Sequence, residues 1–290
     1  MDKKPTFIDL RCDFGFKHCM GDAVVMKSFL NATISEEYGR IESLTFANVE
    51  SKKGKRENRG VIFDLRCKLE DGSEILVEMQ NYAHPYFKTR ANYYLYRLMD
   101  EYISQGTNWS KMKEDIPHLI GIFILGKNMM GLDKTVTKTA ECDLSNKKVF
   151  WDRMQKYFIS LPHVQRLTKK ASFKEIWFNI IKNLGSMRKI DESILEKADE
   201  GLLRLINKAK VAALSKEEYA EYEASLKALA DEGAAEVYGY NRGLAEGSKK
   251  QAIKSASALL KKGIDKEIVK EAFPNLSEAE FEQLEKEINA

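Results

Sequence analysis

Two stretches of apolar and β-branched residues, separated by one short polar turn, stand out in the N-terminal half of the chain. Residues 61–67 and 75–79 have the composition of β-strands. Glu70, Asp71 and Gly72 between them supply the short polar residues and the glycine typical of a hairpin turn. The pattern therefore predicts an antiparallel hairpin that closes at residues 71–72.

Other periodicities predict an alternation of helices and strands around this hairpin. Apolar residues at three- and four-residue steps predict helices over 23–30, 85–104 and 151–158. Strand-like runs lie at 43–49, 117–125 and 135–144. The second of these runs is almost continuously apolar, which predicts a central strand buried on both faces. Taken alone, the pattern indicates a mixed α/β fold.

Strand signals end after about residue 172, and the rest of the chain reads as helical. Helices are predicted over 173–184, 193–206, 215–229, 251–262, 266–272 and 277–288. Gly239, Gly243 and Gly247 recur once per helical turn, which fits either a close helix contact or a flexible joint. Lys and Glu are balanced over residues 249–290, which favours packing or self-association of this helical tail over phosphate binding.

The predicted hairpin brings acidic side chains together. Asp64 lies within an apolar run, where an acid is costly unless it has a partner. Glu78 and Gln80 are two residues apart on the other strand, so their side chains leave the same face. Because Asp64 and Glu78 are at nearly equal distances from the turn, they could converge on a hard-oxygen site for Mg²⁺ or Mn²⁺. The alternative is a pair of strand-end acids that face solvent.

A basic run precedes Asp64. Residues 51–60 contain one acid, Glu57, and five basic residues, namely Lys52, Lys53, Lys55, Arg56 and Arg59. Flexible cations beside a metal site could hold the phosphate backbone of DNA. A solvated surface loop is the alternative interpretation of the same residues.

The predicted helix over 85–104 carries an arginine with two tyrosines. Arg90 lies three residues before Tyr93 and four before Tyr94, so either tyrosine can share a helix face with the arginine. In one interpretation the helix covers the acidic site and Arg90 faces phosphate. In the other, the tyrosines are core residues with satisfied hydroxyl groups and Arg90 is on the surface.

These motifs together resemble a known nuclease family. Asp64, followed fourteen residues later by Glu78-Met79-Gln80, resembles the core of the PD-(D/E)XK nuclease superfamily. The chain is most similar to the branch of PD-(D/E)XK nuclease family transposases, which are related to recombination-promoting nucleases. The segment from Asp13 to Lys17 resembles the opening motif of that branch, and Arg90 to Tyr94 resembles its arginine and paired-tyrosine helix. The likeness covers roughly residues 6–160.

The resemblance implies a restriction-endonuclease-like core, a mixed sheet flanked by helices, followed by an all-helical C-terminal region. It divides the chain into a nuclease-like domain at 1–165, a helical extension at 166–235 and a small helical tail module at 236–290. The tail could mediate homo-oligomerisation.

The resemblance also implies an activity, that of a Mg²⁺-dependent deoxyribonuclease that hydrolyses phosphodiester bonds and is linked to transposition or recombination. Asp64, Glu78 and the main-chain carbonyl of Met79 would hold Mg²⁺ or Mn²⁺, with Asp64, Glu78 and Gln80 as the catalytic residues. Asp13, Lys17, Tyr93 and Tyr94 would be accessory. Gln80 occupies the position of the superfamily's lysine and cannot take a proton at neutral pH, so the general base stays open. A catalytically silent protein that binds DNA or a protein partner is the alternative.

Composition limits the remaining possibilities. A net charge of +3 is too small to indicate a nucleic-acid binder by itself, so any basic patch is local. The sequence has no apolar run of transmembrane length and no apolar core of a signal peptide, so we expect a cytoplasmic protein with no membrane partner. Cys12, Cys19, Cys67 and Cys142 show no paired spacing, so we expect reduced thiols. No P-loop or GxGxxG motif is present, so no nucleotide cofactor is expected.

Overall fold

The computed structural model describes residues 5–47, 64–81, 86–103, 116–129 and 131–289. In these ranges the chain forms a six-stranded mixed sheet with helices on both faces, followed by further helices. The strands are β1 (Leu44–Phe46), β2 (Leu65–Leu69), β3 (Glu74–Gln80), β4 (Leu119–Leu125), β5 (Val136–Cys142) and β6 (Val149–Ser160). This architecture confirms the α/β fold class that was expected from the resemblance.

The sheet has the strand order β1-β2-β3-β4-β6-β5. Strands β3, β4 and β6 are parallel to one another, and the outer pairs β1–β2, β2–β3 and β5–β6 are antiparallel. Every residue of the central strand β4 is buried, as its apolar run predicts. The predicted hairpin is the β2–β3 pair, in which Leu65 lies opposite Val77.

One face of the sheet is covered by the helix α3 (Phe87–Tyr102). Its Phe87 ring contacts Phe123 of β4 edge-on at 5.5 Å, and Phe123 stacks on Phe158 of β6 at the same distance. Leu76 of β3 belongs to this buried cluster, whereas its neighbours Ile75 and Val77 belong to the cluster on the other face. Because strand side chains alternate, the even-numbered residues of β3 face α3.

The opposite face packs against a larger set of helices. These are α1 (Asp13–Met20), α2 (Ala23–Tyr38), α4 (Phe173–Asn183), α5 (Glu192–Leu195), α6 (Glu200–Lys208) and the start of α7 (Lys216–Lys261). Trp177 of α4 is fully buried, contacts Phe29 edge-on and donates its indole N–H to Ser28 at 3.2 Å. Burial of this large side chain with a satisfied polar group fixes α4 against α2.

Helix α1 is held in place by distant parts of the chain. The Asp9 N–H donates to the Tyr222 hydroxyl at 2.9 Å, and the Phe14 N–H donates to Ser225 at 3.0 Å. Gly15 is required here because a Cβ at this position would lie 2.1 Å from the Asp9 carbonyl oxygen. The glycine of the opening motif therefore allows the segment before α1 to fold closely over the helix.

Three helix predictions differ from the structure. Residues 151–158, predicted as a helix, are part of β6, because pairing with both β4 and β5 decides their conformation. The predicted helix over 193–206 is two helices, α5 and α6, which begin after the capping residues Asp191 and Asp199. Gly239, Gly243 and Gly247, for which a close helix contact or a flexible joint was considered, lie inside α7, and the helix continues through them without a break.

The chain divides into two compact units, Met1–Leu229 and Ala230–Ala290. The second unit contains the end of α7 together with α8 (Lys266–Ala272) and α9 (Glu278–Asn289). It has its own small apolar core, which includes Ala256, Val269 and Phe281. No helix within the described ranges combines the length and the apolar character needed to cross a membrane.

A buried ionic cluster joins the start of β3 to the end of α3. Arg66 is buried on β2, and its guanidinium contacts Glu74 at 2.6 Å and Glu101 at 2.9 Å. The Tyr102 hydroxyl donates a further hydrogen bond to Glu74. Removing one partner from such a cluster leaves a buried charge without compensation.

We expect Arg66→Ala to lower the free energy of unfolding by about 3–5 kcal/mol, because the buried Glu74 and the half-buried Glu101 would lose their cation. Urea denaturation would measure this change. The matched control is Lys68→Ala, an exposed lysine on the same strand, which should change stability by about 0.5 kcal/mol or less. Equal effects of the two substitutions would contradict a stabilising role for the cluster.

Candidate active site

Asp64 and Glu78 lie side by side on the sheet face that α3 covers. Extending the β2–β3 register by one residue from Leu65–Val77 places the two acids opposite each other. The Asp64 N–H donates to Glu78 Oε1 at 3.1 Å, and the Met79 N–H donates to Asp64 Oδ2 at 2.9 Å. Each carboxylate is therefore held by a main-chain N–H from across the hairpin, and the two acids lie together as the residue count on either side of the turn suggested.

The environment of the pair disfavours two negative charges. Burial, together with the charge of the neighbouring Asp64 carboxylate, raises the pKa of Glu78 to about 8. Burial likewise raises the pKa of Asp64, although the hydrogen bond from Met79 opposes that shift. Two desolvated carboxylates at such short range need a cation or a proton to offset their repulsion.

Helix α1 brings a cation to this pair. The Lys17 ammonium lies 3.8 Å from Asp64 Oδ1 and 2.7 Å from Asp13 Oδ1. Burial alone would lower the pKa of Lys17, but the hydrogen bond to Asp13 and the charges of Asp13, Asp64 and Glu78 raise it. Asp13 and Lys17 are thus brought to the acids from a helix about fifty residues earlier in the chain.

Helix α3 places a second cation near the acids. The Arg90 guanidinium lies over the rings of Phe87 and Tyr94, and its Nε donates to the Tyr94 hydroxyl at 3.0 Å. Burial raises the pKa of Tyr94, and the Glu78 charge adds to that shift. The charge of Arg90 also acts on both acids and lowers the pKa of each. Arg90 and Tyr94 therefore belong to the same electrostatic cluster as Asp64 and Glu78.

The structure separates the two tyrosines of the motif. Tyr94 is buried, whereas Tyr93 is 42% exposed and makes no described contact with the acids. Gln80 is on the same face of β3 as Glu78, at the end of the strand, where its main-chain carbonyl accepts a hydrogen bond from the Gly126 N–H at 2.8 Å.

Asn81 is a positioning residue that the sequence analysis missed. It follows β3 directly, and its side-chain amide donates to the Arg11 carbonyl just before α1. A Cβ at Gly126 would lie 2.4 Å from the Asn81 side-chain oxygen, so the end of β4 also closes on this residue. The only signal in the sequence is a polar residue directly after a strand, which is too common to identify such a link.

The donor set fits a divalent cation. Asp64 and Glu78 supply two carboxylates, and the Met79 carbonyl is adjacent in the chain. Within the described residues, no further Asp, Glu, His or Cys joins the pair to form a cluster of three ligands. Mg²⁺ typically binds one or two carboxylates and takes its other ligands from water and substrate phosphates, so a pair of acids suits it.

Two sequence-based interpretations cannot be placed on this site. The basic run, consisting of Lys52, Lys53, Lys55, Arg56 and Arg59, lies outside the described residues. The predicted strand residues 61–63 before Asp64 also lie outside them.

We expect Glu78→Gln to stabilise the metal-free protein increasingly as pH rises from about 5 to 8. The folded-state pKa of Glu78 is about 8 against 4.5 for an ordinary glutamate, so stability falls between these two pH values, where the unfolded chain has lost this proton and the folded protein still binds it. At pH 8 the gain should be on the order of 2 kcal/mol. Thermal unfolding in chelator would measure it, with the exposed Asp133→Asn as control. A gain that does not depend on pH would contradict the raised pKa.

Comparison with known proteins identifies the family of the chain. The family model described as PD-(D/E)XK nuclease family transposase matches residues 10–237, which is most of the chain and includes all of the clustered residues above. No curated protein and no solved structure matches the chain. From the extent of the family match, the chain belongs to the PD-(D/E)XK nuclease family transposases.

Proposed function

We propose that the protein is an endonuclease that hydrolyses phosphodiester bonds of DNA with the help of a divalent metal, Mg²⁺ or Mn²⁺. The observation that carries this proposal is the interlocked pair formed by the half-buried Asp64 carboxylate and the buried Glu78 carboxylate, both with raised pKa values. A protein does not gain stability from such a pair, because two desolvated like charges repel. Their placement is explained if they hold a cation during function.

Asp64, Glu78 and the main-chain carbonyl of Met79 would hold the metal. When bound, the ion would lower the pKa of a water molecule and neutralise charge on the phosphate. Side chains of the protein would position the attacking water. Glu78 would accept a hydrogen bond from the attacking water and so orient it towards phosphorus, and Gln80 at the end of the same strand would hydrogen-bond that water.

Lys17 would take the place of the lysine that the superfamily carries where this chain has Gln80. Its ammonium approaches Asp64 from α1 instead of from β3, at 3.8 Å. Because the surrounding carboxylates raise its pKa, Lys17 would stay protonated and act as a fixed positive charge. It would stabilise the negative charge that develops on the phosphate instead of acting as the general base. Asp13 would position it.

Arg90 would bind the phosphate on the α3 side of the acids. Its orientation is set by the hydrogen bond from Nε to Tyr94 and by the two aromatic rings beneath the guanidinium. An arginine restrained in this way loses little entropy when its terminal nitrogens donate to phosphate oxygens. The basic residues between 51 and 60 would add phosphate contacts further along the DNA.

The function that we propose includes a role in transposition or recombination, in keeping with the family, and a cytoplasmic location. The helical tail would support self-association. A second candidate function is DNA binding without cleavage, which is favoured by one observation, the glutamine at position 80. The approach of Lys17 to Asp64 argues for cleavage, because α1 then supplies the site with the lysine that β3 lacks.

Asp64→Asn and Glu78→Gln are each expected to lower metal-dependent DNA cleavage by about a thousandfold, because each removes one metal-binding carboxylate. Both amides keep an oxygen acceptor for the main-chain N–H that the acid now binds, so the fold should persist. Nicking of supercoiled DNA in Mg²⁺, Mn²⁺ or EDTA would measure the effect, with Asp133→Asn as control. Cleavage that survives both substitutions would remove these acids from the mechanism.

Lys17→Gln is expected to lower the single-turnover cleavage rate by about a hundredfold and to leave DNA affinity nearly unchanged, because Lys17 would act on charge that develops in the transition state. Single-turnover rates and binding in EDTA would separate the two effects. The matched control is Lys27→Gln, which removes a lysine from the neighbouring α2 that pairs only with a main-chain carbonyl in the described structure. A loss of affinity without a loss of rate would assign Lys17 to substrate binding only.

A further inference from the structure

A cavity that the proposed catalytic mechanism does not use lies between α3 and the β5–β6 hairpin. It has a volume of about 450 Å³. Lys88 and Tyr96 of α3 form one wall, and Thr139, Trp151, Lys156 and Phe158 of β5 and β6 form the other. The volume lies within the range of binding sites for small organic molecules.

The cavity shares a sheet face with the catalytic acids. Glu78 pairs in register with Phe123 of β4, and Phe123 pairs with Phe158 of β6, which lines the cavity. The Glu78 backbone therefore lies two strand spacings, about 10 Å, from the backbone of Phe158 in the cavity wall. Helix α3 lies between them, since Phe87 packs on both Phe123 and Phe158. A chain that crosses the start of α3 would pass from the acids to the cavity.

Two lysines give the cavity a positive character. Neither Lys88 nor Lys156 forms an ion pair with another described residue. Burial lowers the pKa of Lys156, and the charge of Glu141, which also lines the cavity, opposes this shift. An anion in the cavity would offset the cost of this burial. The buried Thr139 hydroxyl also has no hydrogen-bond partner among the described residues.

Aromatic side chains provide a surface of a different kind beside these lysines. Tyr96 is 58% exposed, and Trp151 is half-buried against the cluster that includes Phe158. Exposed aromatic rings next to flexible cations match the chemistry of a nucleotide, in which a flat base is joined to a phosphate. The base must be unpaired to stack on such rings, so a continuous duplex would not fill the cavity.

We propose that this cavity binds one unpaired nucleotide of the DNA strand that passes the catalytic acids, with its base against Trp151 and Tyr96 and its phosphate at Lys88 and Lys156. The choice of a DNA strand as the source of the nucleotide rests on the proposed function. The cavity would then make the enzyme prefer DNA with a single-stranded segment a few nucleotides from the cleavage position. A free nucleotide has the same chemistry, and the experiment below distinguishes the two sources.

The test compares binding of two fluorescently labelled DNAs to the full-length protein in EDTA, by anisotropy. One DNA is a blunt duplex, and the other is the same duplex with a short single-stranded overhang. We expect tighter binding of the overhang DNA, and a loss of about tenfold in that affinity in Lys156→Gln and in Tyr96→Ala. Blunt-duplex affinity should stay unchanged. The control Lys170→Gln removes an exposed lysine that does not line the cavity and should affect neither DNA.

Several results would overturn the proposal. If the cavity variants lose equal affinity for both DNAs, or lose none for either, the cavity does not bind an unpaired nucleotide. Tyr96 is exposed, so Tyr96→Ala tests the proposal even if Lys156→Gln disturbs folding. In a third outcome, the wild-type protein binds dAMP, Lys156→Gln abolishes that binding, and the affinity for overhang DNA is unchanged in both variants. The ligand would then be a free nucleotide, and the assignment of the cavity to a DNA strand would be overturned.

A parallel cleavage assay in Mg²⁺ separates this proposal from the proposed function. In one outcome, the wild-type protein prefers the overhang DNA in EDTA, both cavity variants lose this preference, and the wild-type protein shows no metal-dependent cleavage. This outcome would support nucleotide binding by the cavity and contradict the proposed nuclease activity. Metal-dependent cleavage by the wild-type protein with no overhang preference would support the proposed nuclease activity and contradict nucleotide binding by the cavity.

Discussion

The repulsion between Asp64 and Glu78 is the constraint on which the rest of the site depends. The β2–β3 register forces the two carboxylates together, and main-chain hydrogen bonds from the opposite strand prevent them from turning apart. Both helices that flank the pair contribute a cation, Lys17 from α1 and Arg90 from α3. The long-range contacts that fix α1, including Asn81 to the Arg11 carbonyl, can therefore be understood as supports for a charge cluster.

Helix α3 separates two regions on this face of the sheet. One edge of the helix turns Arg90 and Tyr94 towards the acids, and the other turns Lys88 and Tyr96 towards the cavity over β5 and β6. The buried Arg66 cluster fixes the far end of the helix, and the packing of Phe87 on Phe123 fixes its start. A single helix thus sets the distance between the proposed catalytic acids and the proposed nucleotide-binding cavity.

The sequence alone predicted those parts of the fold that depend on local pattern. The hairpin, the buried strand β4 and the helix α3 each carry a clear period, and the convergence of Asp64 and Glu78 follows from counting residues on either side of one turn. Residues 151–158 were predicted incorrectly because pairing with two neighbouring strands outweighs their local period. The approach of Lys17 to Asp64 and the link from Asn81 join segments far apart in the chain, and no local pattern encodes them.

Calorimetric titration of the metal-free protein with Mn²⁺ would measure whether Asp64 and Glu78 together hold a divalent cation. We expect binding to the wild-type protein and to Asp133→Asn, and a loss of that binding in both Asp64→Asn and Glu78→Gln. Equally strong Mn²⁺ binding in all four proteins would mean that the two acids do not hold the cation, and their repulsion would then have no role in metal binding.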